Sequence, residues 1–192
     1  MFQIRIHGRG GQGVVSGAEM LSVAAFLEGR HAQAFPSFGS ERTGAPVMAF
    51  CRIDDKLIRL REPVLEPDAL IVQDCSLLHQ VDLFNGLKPG GVVLLNSNRT
   101  IRELGLAELE QGAKRFRLVT LPASDLALKH VGRPVPNAAL LGGFAALTGE
   151  LGLESVVQAI VEKFPKAIAD KNVAAARAAY ALAARPVETV NA

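Results

Sequence analysis

Apolar and polar side chains alternate over residues 2–7. Phe2, Ile4 and Ile6 fall on one face and Gln3, Arg5 and His7 on the other, the period of a short strand. The period then changes. Over residues 14–29, Val14, Leu21 and Ala25 share one helical face, and Gly29 supplies a stop. "HAQAF" (31–35) reads as a second short strand and "VMAFCRI" (47–53) as a third. Asp54 and Asp55 can turn that strand into "LIRLR", so a β-hairpin is expected there. Beyond Pro63 and Pro67 the strands become continuous apolar runs: "ALIVQD" (69–74), "GVVLLN" (91–96) and "RFRLVTLP" (115–122). A short helix is expected near "SLLHQVDLF". Runs of this kind alternating with helices imply parallel strands covered on both faces. From about Ser124 the chain turns helical, with patterns in "NAALLGGFAALTGELG", "LESVVQAIVEKF" and the alanine-rich "KAIADKNVAAARAAYALAA". The tail "RPVETVNA" reads as a frayed end or an arm over a partner.

The expected fold class is α/β: a doubly wound, mostly parallel, Rossmann-like sheet with a β-hairpin excursion and a helical C-terminal region. Residues 1–192 are expected to form one domain, with 124–192 packed on it. The 192 residues are 49% hydrophobic, enough for a substantial core. A net charge of +2 with scattered lysines and arginines, one tyrosine and no tryptophan offers no nucleic-acid surface. No leader is visible, and no apolar run approaches the ~20 residues of a membrane span. A cytoplasmic chain with no membrane association is expected. Cys51 and Cys75 are too few for an iron–sulfur cluster and read as thiols in a reducing compartment. His7, His31, His79 and His130 lack partners at catalytic spacing; only His7 abuts a motif.

That motif is "HGRGGQGVV". Gly8, Gly10 and Gly13 have the G-x-G-x-x-G spacing, and Gly11 adds a fourth glycine. The loop lies between a strand and a helix, where glycines let backbone N–H groups approach a phosphate and the helix N-terminus favours an anion. Arg9 can add a charged fork and Gln12 an amide donor. A nicotinamide cofactor would further require an acid ~20 residues on, at the end of the second strand. Gln33, Ala34, Phe35 and Pro36 stand there, and the first acid, Glu41, comes only in the following loop. Arg30, which could favour a 2′-phosphate, precedes the strand.

The second motif is "AFPSFGSERTGAPVMAF" (34–50), a polar loop between apolar strands that carries Ser37, Gly39, Ser40, Glu41, Arg42 and Thr43. A solvated surface loop is the plain reading. A loop at the carboxyl edge of the sheet, where α/β proteins bind ligands, is the functional one. The two motifs in register, with "EPDALIVQD", "LKPGGVVLLNS" and "PNAALLGGFAAL", resemble the gamma subunit of the 2-oxoacid:ferredoxin oxidoreductases. The resemblance is strongest to the pyruvate and 2-oxoisovalerate enzymes and spans essentially the whole chain.

That resemblance implies a subunit with no activity of its own, in an enzyme that converts a 2-oxoacid and coenzyme A to acyl-CoA, CO2 and a reduced acceptor. It implies alpha, beta and ferredoxin-like delta partners, which carry thiamine diphosphate, Mg and iron–sulfur clusters. This chain would cover the thiamine site and help bind coenzyme A. Gly8, Arg9, Gly10, Gly11, Gln12 and Gly13 would form the phosphate-facing turn. Ser37, Gly39, Ser40, Glu41, Arg42 and Thr43 would face the coenzyme or the thiamine entrance. No residue of this chain is expected to be catalytic or to ligate a metal, and Asn137 is expected to cap the helix after Pro136. Pyruvate is the first substrate expected. An aromatic-oxoacid enzyme such as phenylglyoxylate dehydrogenase, which adds a flavin subunit and reduces NAD, stays open. So do a self-contained NAD(P) protein and a non-catalytic sensor or assembly domain.

Overall fold

A computed structural model describes residues 1–37, 43–111 and 115–185. Six strands form one mixed sheet: β1 (Phe2–Arg9), β2 (His31–Pro36), β3 (Pro46–Asp54), β4 (Ala69–Val72), β5 (Val92–Asn96) and β6 (Arg117–Leu121). Their spatial order is β2-β3-β1-β4-β5-β6. β1, β4, β5 and β6 run parallel, while β3 is antiparallel to both β1 and β2. The continuous Val/Leu runs occupy the parallel half, as covered strands require.

The hairpin expected between 47–53 and "LIRLR" is not formed. Residues 57–61 make no strand, and Leu57 and Leu60 are exposed. The reason lies in the pairing of β3. Both of its hydrogen-bonding sides are taken, by β1 (Ile4 opposite Cys51) and by β2 (Ala34 opposite Cys51), so no edge is left for a third strand. The antiparallel excursion is instead the β2–β3 pair, closed by the second motif.

Helix α1 (Val14–Leu27) follows β1 directly. A 3₁₀ turn at Cys75–His79 stands where a short helix was expected, and α2 (Ala107–Gln111) was not signalled by any periodicity. Helices α3 (Ala123–Val131), α4 (Asn137–Thr148), α5 (Leu153–Lys163) and α6 (Lys166–Ala183) follow. The two faces of the sheet are covered unequally. Ile4, Ile6, Cys51, Ala69 and Ile71 project to the face on which α1 and α3–α6 pack. Leu70, Val72, Val93 and Leu95 project to the other face, which the 3₁₀ turn, α2 and connecting segments cover. On the first face, α4 packs so tightly that Gly143 leaves no room for a Cβ beside Leu121, the nearest atom lying 2.6 Å away. Among the described residues no helix is long and apolar enough to cross a membrane.

Candidate functional site

The chain leaves β1 toward α1, β2 and β3 on one side and returns through β4 on the other. The carboxyl ends of β1 and β4 therefore frame the crevice where α/β sheets bind ligands. The glycine loop is one wall of that crevice. Gly11 (φ 92°) and Gly13 (φ 75°) both adopt left-handed backbone that other residues rarely take. Gly13 has a second constraint, because a Cβ there would lie 2.4 Å from Asn137 Nδ2. Gly8 sits behind the loop, where a Cβ would meet Val14 Cγ2 at 2.6 Å.

A groove of about 410 Å³ runs over the start of α1, lined by Arg9, Gly10, Gly11, Gly13, Val14, Val15, Ser16, Thr43 and Val47. The amides of Gly11, Gly13, Val14, Val15 and Ser16 donate to no group among the described residues, as the first turn of a helix leaves them. Asn137 helps set the direction of two of them. Its Nδ2 donates to the carbonyls of Gln12 (3.2 Å) and Gly13 (3.1 Å). A trans peptide places N–H opposite C=O. Drawing the Gln12 carbonyl inward therefore turns the Gly13 N–H group outward; the Gly13 carbonyl is held also by the Gly17 amide (3.0 Å), and the two donors together turn the Val14 N–H group outward. The expected capping role of Asn137 is overturned: Pro136 holds the cap position without a side-chain bond, and the Asn137 side chain points at the glycine loop.

The orientation of Asn137 also fixes its neighbour. With Nδ2 committed to two carbonyls, Oδ1 must accept, and it does so from Gln73 Nε2 at the end of β4. Gln73 Oε1 is left buried with no partner among the described residues.

Arg9 and Gln12 are spent within the chain. Arg9 Nε donates to Asp74 Oδ2 (3.1 Å), Nη1 to the Gly44 carbonyl (2.9 Å), and Nη2 to Ser76 Oγ (2.6 Å) and Gln80 Oε1 (3.1 Å). Gln12 Oε1 accepts from the Arg9 amide (2.7 Å), and its Nε2 donates to Asp74 Oδ2 (3.1 Å). Both side chains thus brace the loop against β4 and the second motif. Asp74 is the hub. Burial works against its ionised form, but hydrogen bonds from Ser76 and Gln12 and the Arg9 charge outweigh it and hold the carboxyl below its usual value.

A carboxyl whose folded value is lowered contributes stability above the unfolded value of about 4, and loses that contribution as pH falls through the folded value. Opening of the glycine loop should therefore steepen below pH 4. Amide hydrogen exchange at Gln12 checks this. Asp74→Asn should flatten the dependence, and an unchanged profile would remove Asp74 as the hub.

Backbone bonds draw the two motifs together. Gly10 N–H donates to the Ala45 carbonyl (2.9 Å), and Gly44 N–H donates to the Gly10 carbonyl (3.1 Å). Thr43 lines the groove, but Ser37 lines a different cavity on the far side of Val47. Gly39, Ser40, Glu41 and Arg42 lie outside the described residues. The geometry does not suit a nicotinamide dinucleotide. β3 separates β2 from β1, so the tip of β2 is not beside the loop. Arg30, which could have met a 2′-phosphate, is paired with Asp55 and Glu150, each at 3.0 Å. The two thiols are unreactive by environment: burial pushes Cys51 up to about 12, and burial with the adjacent Asp74 pushes Cys75 up to about 11.

Comparison with known proteins agrees with this architecture. Residues 3–182 match the family model described as pyruvate ferredoxin/flavodoxin oxidoreductase. The chain is 48% identical over 180 residues to the pyruvate synthase subunit PorC of Methanothermobacter marburgensis, covering 94% of this chain and 96% of that one. It is equally similar, at 48% over 180 residues with the same coverage, to the common gamma subunit of the pyruvate/ketoisovalerate oxidoreductases of Thermococcus kodakarensis. The crystal structure of the pyruvate oxidoreductase subunit PORC of Thermotoga maritima superposes with a TM-score of 0.79 at 34% identity, covering 94% of this chain and 95% of that one. The chain belongs to the pyruvate ferredoxin/flavodoxin oxidoreductase family, as the gamma-type subunit of a 2-oxoacid ferredoxin oxidoreductase.

Proposed function

We propose that the groove over α1 holds the diphosphate of coenzyme A, and that this chain presents the coenzyme to a thiamine centre built by its partners. One observation carries the reading: the amides of Gly11, Gly13, Val14, Val15 and Ser16 are without acceptors among the described residues, at a helix N-terminus where the backbone dipoles favour an anion. Five N–H groups in one short stretch match the oxygens of a diphosphate. Coenzyme A carries such a group and does not require the acidic ribose ligand that the end of β2 lacks.

Alpha, beta and ferredoxin-like delta chains are the partners this reading calls for. Thiamine diphosphate with Mg and the iron–sulfur clusters, carried by those chains, supply decarboxylation and electron removal. Gly10, Gly11 and Gly13 keep side chains out of the groove, Arg9 and Gln12 brace it, and Gly8 allows α1 to approach β1. The second motif borders the same groove through Thr43; Gly39, Ser40, Glu41 and Arg42, outside the described residues, are kept as candidate contacts to the coenzyme or the thiamine entrance on the family resemblance alone. Ser37, on the other side of Val47, is assigned to the thiamine entrance.

The test is made on the assembled enzyme. Gly11→Val places a branched side chain at φ 92° on the groove wall. It should raise the apparent KM for coenzyme A about tenfold or more, the effect of ~1.4 kcal/mol in binding. Consumption of 2-oxoacid in a first turnover without coenzyme A should not change. NADH should fail to compete with coenzyme A. Saturable NADH binding that coenzyme A does not displace would instead establish the self-contained NAD(P) reading.

A further inference from the structure

The second face of the sheet holds a cavity of about 610 Å³ bordered by Ser37, whose inner residues Arg5 and His7 have no part in the coenzyme groove. It lies on the far side of Val47 from the glycine groove, between the start of β3 and the segment 77–85. Its size is that of an ordinary small-molecule site. Met48, Leu77 and Val81 give it an apolar wall, and Asp82 stands exposed on its rim. Arg5 and His7, each only 7% exposed, also line it. A strand position on a covered face ordinarily carries an apolar side chain. β1 places a guanidinium and an imidazole there instead.

The hydrogen bonds of these two residues define what the cavity offers. Arg5 Nη2 donates to the carbonyls of Leu83 (2.8 Å) and Asn85 (2.7 Å), and Arg5 Nε donates to His7 Nε2 (3.0 Å). An imidazole that accepts at Nε2 is neutral and carries its proton on Nδ1. Burial and the Arg5 charge agree, holding the His7 value down to about 3. Arg5 Nη1 and His7 Nδ1 find no acceptor among the described residues, and no carboxylate there lies within salt-bridge distance of Arg5. Asp82 attracts Arg5 across the rim without forming an ion pair, and burial still works against the Arg5 charge. Two free donors with one positive charge beside an apolar wall are complementary to one kind of ligand.

We propose that this cavity binds a small monocarboxylate with an apolar body, its carboxylate on Arg5 Nη1 and His7 Nδ1 and its body against Met48, Leu77 and Val81. Asp82 at the rim selects a single negative charge and repels a phosphate ester. The residues assigned to the ligand (Arg5, His7, Met48, Leu77 and Val81) are absent from the coenzyme groove, although Val47 borders both, so either reading can fail without the other.

The probe is hexanoate, with hexanamide as its neutral counterpart, titrated into the full chain carrying 13C-methyl methionine. The Met48 methyl signal should shift saturably with hexanoate and bind the amide at least about tenfold more weakly, as loss of charge-assisted hydrogen bonds requires. Asp82→Asn should tighten hexanoate about twofold to threefold by removing a like charge. Val81→Trp fills the cavity from an exposed position and should abolish the shift without unfolding the chain. Equal binding of acid and amide, or indifference to both variants, would overturn the proposal. So would an assembled enzyme that no longer binds hexanoate, which would assign Arg5 to an acidic side chain of a partner subunit.

Discussion

Gly142→Ala is expected to lower the melting temperature by roughly 4–8 °C, although alanine is the better helix former. In an exposed helix the substitution would gain about 1 kcal/mol. Here α4 crosses α6 at backbone contact: a Cβ on Gly142 would stand 2.1 Å from the Ala176 carbonyl oxygen and 2.7 Å from its carbon. Neither atom can yield unless α6 moves. Overpacking of this kind costs about 1–3 kcal/mol and occasionally more, and a contact this short belongs at the upper end. A net loss near 2 kcal/mol in a chain of this size corresponds to the stated shift, at roughly 2–4 °C per kcal/mol. Thermal unfolding followed by circular dichroism measures it. Because the obstacle is main chain, Ala176→Gly should not rescue the variant. A raised melting temperature would mean that helix propensity outweighs the crossing and that the two helices are not locked at this point.

The parts of this architecture visible in the sequence are those encoded by neighbours along the chain. The alternation of Phe2, Ile4 and Ile6 and the runs at 69–74, 91–96 and 115–122 mark strands because burial acts on each residue locally. The glycine spacing marks the loop for the same reason. Pairing is different. "LIRLR" carries the alternation of a strand, yet both sides of β3 are occupied by β1 and β2, and periodicity holds no record of a filled edge. Polar residues on a covered face were equally hidden. Arg5 and His7 read as the solvent side of a one-sided strand, but the segment 77–85 folds over them. Arg9 and Gln12 were identifiable as donors, whereas the acceptor that takes them, Asp74, lies more than sixty positions away. Its place two residues after the apolar run "ALIV", just past the carboxyl end of a strand, was the one local sign that it belonged to the site.

Asn137 shows the same limit most sharply, and its removal should have the largest effect on the site. In sequence it is a polar residue after a proline at the start of a helix, which is the position of a cap. Its true partners are the carbonyls of Gln12 and Gly13, over 120 positions earlier, and the Gln73 amide. Asn137→Ala leaves the Gln12 carbonyl and one Gln73 N–H group unpaired, the Gly13 carbonyl keeping the Gly17 amide, in a region where Gln73 Oε1 already lacks a partner. Each such group costs about 1–3 kcal/mol when buried, and water entering from the groove will offset part of the sum. A loss of stability of about 2–4 kcal/mol is expected. The functional loss has a separate origin. Without the amide the Gln12–Gly13 peptide is free to rotate and the outward direction of the Gly13 N–H group is no longer enforced, while the Val14 N–H group keeps its direction through the bond from Gly17 to the Gly13 carbonyl. Coenzyme A affinity in the assembled enzyme should fall about tenfold, since the loss of one charge-assisted hydrogen bond from the Gly13 N–H group to the diphosphate is worth about 1.4 kcal/mol. Asn137→Asp separates the two effects. It keeps the shape and still accepts from Gln73, but it sets a carboxylate against two carbonyls and should bind the coenzyme as poorly as the alanine variant. Titration of both variants, with far-ultraviolet dichroism to verify the fold, decides the matter. An aspartate variant with full affinity would show that the loop holds its own shape and that Asn137 only fills space.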